Sequence, residues 1–143
     1  MMNTKIYKAV HGLAEKLMKA ANRQDSEQFH TLYAELKAIC VENENSEKDH
    51  PVQWETLADF TENLDEAIAL YKKALDKATA INSKDFMSSI PFSMASLQAE
   101  LGQTAAAIEN LQQAKISANK IIDKTLKQDI DALLARLSEG EKA

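Results

Sequence analysis

Apolar side chains recur every three or four positions through most of the chain, the spacing that lines one face of an α-helix and not of a strand. Residues 4–22 carry Ile6, Val10, Leu13, Leu17 and Ala21 on one such stripe and predict a first helix. The polar run Asn22-Arg23-Gln24-Asp25 breaks it. Asp25 followed by Gln28 has the form of a capping pair, which satisfies free backbone N–H groups at the start of a second helix. That helix carries Phe29, Leu32/Tyr33, Leu36 and Ile39/Cys40, and it fades in residues 42–50. Four acids and two asparagines make this stretch the best candidate for a mobile loop.

Pro51 suits the first turn of a third helix, where its missing N–H leaves no intrahelical bond unmade. Trp54, Leu57, Ala58 and Thr61 follow it. Asn63 with Glu66 forms another capping box and opens a fourth helix, marked by Ala67, Ile68, Tyr71, Ala74, Leu75 and Ala78 and ending near Asn82-Ser83. A fifth covers about 85–101 and stops at Gly102, a residue free to adopt the left-handed conformation of helix ends. Pro91 is expected in or near its first turn; a start at Asp85 would instead make Pro91 a kink. The sixth begins near Thr104 and runs past Ala118. No breaker separates it from the C-terminal segment, but Thr125 with Gln128 forms a further capping pair and favours a separate last helix over 123–138. Its stripe is Leu126, Ile130, Leu133/Leu134 and Leu137.

The two prolines head segments that resemble each other. Displacing residues 51–81 by forty aligns Pro51/Pro91, Leu57/Leu97, Ala67/Ala107, Ile68/Ile108, Ala74/Ala114, Ala78/Ala118 and Ile81/Ile121. A fixed period in this range marks a repeated supersecondary unit, and such units usually stack into a solenoid. That favours a binding scaffold over an active site.

Composition agrees with an all-α chain forming a single domain: of 143 residues 45% are hydrophobic, largely Ala, Leu and Ile, with three glycines and two prolines. The net charge of −5, from 22 acids and 17 bases, argues against nucleic acid as a partner, because its phosphates must be neutralised by clustered Lys and Arg. Lys72, Lys73 and Lys77 are interspersed with Asp65, Glu66 and Asp76, the pattern of a solvated helix face. No apolar stretch approaches the roughly 20 residues that cross a bilayer, so no membrane partner is expected. The single cysteine, Cys40, excludes an internal disulfide and points to a reducing, cytoplasmic setting. It continues an apolar stripe and reads as a small buried hydrophobe. His11, His30 and His50 lack the spacing of metal ligands, so neither metal nor cofactor is expected. No phosphate-cradling glycine loop occurs, and the carboxylate pairs Asp65/Glu66 and Asp129/Asp131 are ordinary in an acidic helical chain.

Residues 63–75 (NLDEAIALYKKAL) and 101–114 (LGQTAAAIENLQQA) resemble the turn and second helix of tetratricopeptide repeats. The shared features are Ala67, Ile68, Tyr71 and Ala74, and then Gly102, Ala107, Ile108, Leu111 and Ala114. Small side chains let two helix backbones approach, and the aromatic or leucine fills the adjoining groove. The resemblance covers residues 51–121, with a degenerate hairpin at 10–42. It departs from the family in its forty-residue unit, against about 34, and in Glu62 at the turn glycine. It implies a right-handed superhelix of antiparallel hairpins, about seven helices in all, whose first helices line a concave face for a peptide or protein segment. Carried over, that face comprises Val52, Thr56, Asp59 and Phe60, then Ser89, Phe92, Ser96 and Glu100. The phenylalanines would anchor and the serines would donate hydrogen bonds, although both rings also fit a core reading. Lys, Asn and Arg that clamp a terminal carboxylate in some members are missing from these positions.

The leading expectation is therefore a non-catalytic module that binds another protein or a peptide. The alternative is a structural helical protein that forms a homodimer through its C-terminal stripe. An enzyme using His30 or His50 is the most remote reading and would require a deep polar cleft around one of them.

Overall fold

The computed structural model describes residues 3–142, and every regular element among them is an α-helix. There are seven: α1 (Thr4–Asn22), α2 (Ser26–Asn43), α3 (Pro51–Asp59), α4 (Leu64–Ala80), α5 (Lys84–Glu100), α6 (Thr104–Ala118) and α7 (Lys124–Lys142). Their starts follow side-chain chemistry. The carboxylate of Asp25 accepts from the N–H of Gln28 at 3.1 Å, and the Asn63 amide oxygen accepts from Glu66 N–H at 3.0 Å. Each such cap stabilises its helix by about 1 kcal/mol.

Three helices end in the same way. The residue beyond the last turn takes a positive φ, and the next N–H reaches back to the carbonyl five residues earlier. Gln24 (φ 58°) brings Asp25 N–H to the Ala20 carbonyl at 2.9 Å, Asn82 (φ 53°) brings Ser83 to Ala78 at 3.0 Å, and Gly102 (φ 76°) brings Gln103 to Gln98 at 2.8 Å. These closures make the α1–α2, α4–α5 and α5–α6 connections short.

Contacts divide the chain into two compact units, Met1–Leu70 and Tyr71–Ala143, with the division inside α4. In the first unit α1, α2 and α3 each pack on the other two. Leu17, Leu36, Cys40 and Leu57 are fully buried there. In the second unit α5, α6 and α7 do the same around Ala95, Ala107, Leu111, Ala114, Ala118, Ile121, Ile130 and Leu133. The alanines aligned by the forty-residue displacement are all buried: Ala67, Ala74 and Ala78, and Ala107, Ala114 and Ala118. Ile81 and Ile121, also aligned, part company, the first 51% exposed and the second 7%. Ile81 lies in the turn after α4, whereas Ile121 closes the second core.

Several expectations are corrected. Pro91 is not in a first turn: α5 starts at Lys84 and Pro91 sits fully buried in its interior, so the Met87 carbonyl receives no N–H from residue 91. The break between α6 and α7 occurs, but Asp123 caps α7, its carboxylate accepting from Leu126 N–H at 3.0 Å; Thr125 does not cap it. The α1 stripe closes on Ala20 and leaves Ala21 exposed.

The stretch read as a mobile loop is tied down throughout. Helix α2 continues to Asn43, whose side chain donates to the Ile39 carbonyl at 2.7 Å. Asp49 acts as a bolt. One carboxylate oxygen accepts from Asn45 N–H at 2.7 Å and the other from the Trp54 indole N–H at 2.8 Å. Gln53 Nε2 donates to the Lys48 carbonyl, and the Cys40 thiol donates to the Gln53 carbonyl. His50 is buried and caps α3, its Nδ1 accepting from Val52 N–H at 3.1 Å. Burial pushes the His50 pKa below its usual 6.5, against an upward pull from Asp49.

Replacing Asp49 by Ala leaves the indole N–H and the Asn45 amide without their charged acceptor. Denaturant unfolding followed through the single tryptophan should show a loss of roughly 1–3 kcal/mol. His50 is neutral when folded below the pH at which it protonates in the unfolded chain. Its titration therefore costs nothing above about pH 7 and is increasingly destabilising as pH falls through 6.5. The drop in Tm from pH 7.5 to 5.5 should shrink in His50→Asn, which keeps a capping acceptor but does not titrate. Gln24→Gly removes a Cβ from the left-handed region and should raise stability by about 1 kcal/mol in a thermal melt.

Candidate protein-binding grooves

Phe29, in the first turn of α2, and Phe60, the residue that ends α3, meet edge to face with centroids 6.4 Å apart. Around this pair lie two hollows that share Phe29 and Glu62. One, of about 400 Å³, is lined by Ala20, Ala21, Gln24, Ser26, Phe29 and Glu62 and is almost wholly apolar. The other, of about 270 Å³, adds His30, Tyr33, Phe60 and Thr61. The α1–α2 turn forms one wall, and the end of α3 with the following turn forms the other.

Polar groups fix these walls. The Thr61 hydroxyl donates to the Leu57 carbonyl at 2.7 Å, so the Tyr33 hydroxyl, 2.7 Å away, donates to Thr61 Oγ1. On the rim, His30 Nε2 lies 3.3 Å from Glu62 Oε1, and its Nδ1 lies 3.5 Å from the Ser26 hydroxyl. Serine, histidine and carboxylate thus stand in the order of an acyl-transfer relay. The His30 and Glu62 side chains are 64% and 69% exposed, however, so water screens the field that would activate a nucleophile. The arrangement works as a hydrogen-bonded edge to an apolar cleft.

The second unit has a groove of different character. Lys72, Leu75, Asp76, Met94, Glu109 and Asn110 are among the residues that line a hollow of about 440 Å³. The Asn110 amide donates to Gln98 Oε1 at 2.8 Å and lies 3.5 Å from the Met94 sulfur.

The eight residues carried over from the family resemblance fall on α3 and its end, and on α5. Val52 is half-buried in the first turn of α3, and its carbonyl accepts from the Thr56 hydroxyl at 2.6 Å. Asp59 is exposed at the last position of α3. Phe60 is half-buried and forms part of the groove wall with Phe29, Tyr33 and Thr61. On α5, Ser89 is half-buried and Glu100 is exposed. Phe92 is half-buried and packs against the core cluster of its unit. The Ser96 hydroxyl donates to the Phe92 carbonyl at 3.0 Å. Thr56 and Ser96 therefore spend their only hydroxyl protons on their own helices and can face a ligand as acceptors only, which for Ser96 differs from the donor role the resemblance implied.

Phe29, Ala20, Ala21 and Glu62 were not among the carried-over positions. Phe29 opens an apolar stripe and reads as core, and Glu62 reads as a turn residue; only the folded chain sets them side by side. The C-terminal stripe is engaged within its own unit. Ile130 and Leu133 are buried in the core, and Leu126, Leu134 and Leu137 pack against it. Among the described residues no cluster of His, Cys, Asp or Glu is arranged to hold a metal ion, and no helix is long and apolar enough to cross a membrane. Comparison with protein-family models, curated proteins and solved structures finds no match to this chain.

Proposed function

We propose that the chain is a non-catalytic protein–protein interaction module of tetratricopeptide-like build that holds a peptide or protein segment, with Phe60 the candidate anchor in the first unit and Phe92 the candidate anchor in the second. The observation that carries this reading is the hollow beside Phe60, in which a half-buried aromatic pair stands next to small alanines and an exposed carboxylate. Such a mixture of apolar floor and few polar groups suits a side chain of another protein. The burial of every aligned alanine supports the repeat reading that implies this role. A single buried thiol, Cys40, fits a reducing, cytoplasmic setting.

A displayed peptide library panned on the full chain should yield binders whose affinity falls about tenfold or more in Phe60→Ala or Phe92→Ala, a loss typical of an interface anchor. Both variants should keep a cooperative thermal transition, because each ring is only half-buried. Recovery of no peptide, or of peptides indifferent to both substitutions, would remove the proposal. Unfolding by either substitution would assign that ring to the core.

A further inference from the structure

We infer that the groove around Phe29 receives a cationic segment of a partner protein, with one aliphatic side chain in each of the two hollows beside that ring and a Lys or Arg against Glu62. This rests on the interaction-module reading and names the chemistry of its partner. Two independent features point the same way.

The first is shape and polarity. The cleft of about 400 Å³ is floored by Ala20, Ala21 and Phe29, and its neighbour of about 270 Å³ lies across the same ring. Two adjoining hollows admit two apolar side chains of one segment, with Phe29 between them. The second is charge. The residues that line the two hollows include two exposed acids, Glu62 and Glu66, and no Lys or Arg. Glu62 sits at the mouth of both hollows, and its contact with His30 engages Oε1. An acidic rim over an apolar floor complements Lys or Arg flanking Leu, Ile or Met, and it repels acidic segments.

A second copy of this chain is a poorer occupant. Among the described residues the most exposed large apolar side chain is Ile122, at 95%, with Lys120 and Lys124 two positions to either side and Asp123 adjacent. Its neighbour Ile121 is buried, so that turn offers one side chain for two hollows.

The test uses the full chain and two short labelled peptides, one of leucine and lysine with leucines at helical spacing, the other with glutamate for every lysine. Fluorescence anisotropy should show binding of the lysine peptide alone, weakened by added salt. Glu62→Lys and Ala21→Trp, which reverse the rim charge and fill the cleft, should each weaken binding about tenfold or more. Asp129→Lys, an equal change of net charge on the surface of α7, should change it less than about twofold. Thermal melts identify any variant that fails to fold; if Ala21→Trp does, the contrast between Glu62→Lys and Asp129→Lys decides.

Equal effects of Glu62→Lys and Asp129→Lys would reduce the interaction to the overall field and overturn the inference. So would binding of the glutamate peptide, or self-association abolished by Ile122→Asp. Peptides that respond to Phe92→Ala but not to Glu62→Lys would sink this inference and leave the module reading standing. Failure of every peptide to bind would sink both.

Discussion

Close approach of helix backbones at buried alanines is the constraint on which the packing depends. A leucine at a helix–helix contact holds the axes near the upper end of the usual ~8–10 Å range, and an alanine allows the lower. In the second unit Ala95, Ala107, Ala114 and Ala118 occupy such places, and the larger Leu111, Ile121, Ile130 and Leu133 fill the space between. The matching residues of α4, Ala67, Ala74 and Ala78, are equally sealed from water. A recurring small residue is a demanding feature, because a larger side chain there would force backbone shifts costing roughly 1–3 kcal/mol.

Packing alone would leave the helix ends loose, and here they are closed by local polar chemistry. Three turns use one residue at positive φ each, and only one of the three is glycine. In the connection from α2 to α3 one carboxylate, Asp49, holds both a backbone amide and the buried indole of Trp54, beside the bonds of Gln53, His50 and Asn43.

The groove forms where two chain reversals of the first unit lie beside each other, and not along the helical faces that the family resemblance singled out. Phe60 belongs to both descriptions. The resemblance carried it over as an anchor on the first helix of its hairpin; it caps the end of α3 and abuts Phe29. Thr56 and Ser96 belong to the predicted face, but their hydroxyl protons are already committed to carbonyls one turn back. An i−4 hydroxyl bond is a local preference available to any helical Ser or Thr, so a functional reading of such residues from spacing alone overstates their freedom.

Helix number, type and most starting points were legible in the order of residues, because periodic apolar positions and capping side chains act within a few residues of one another. Asp25, Asn63 and Gly102 do what their local context dictates. Pro91 does not, since the first turn of α5 is set by Ser83, whose hydroxyl accepts from Phe86 N–H, well upstream of the proline. The stretch 42–50 was misjudged for a related reason. Polarity predicts that a segment seeks hydrogen bonds, but whether water or Trp54, Gln53 and Asn45 supply them depends on what folding brings near. The same holds for the pairing of Phe29 with Phe60 and of His30 with Glu62, partners some thirty residues apart. Local chemistry determined where each helix begins and which face it buries; only the tertiary structure decided which exposed groups became neighbours, because distance in space is not encoded in any single stretch of chain.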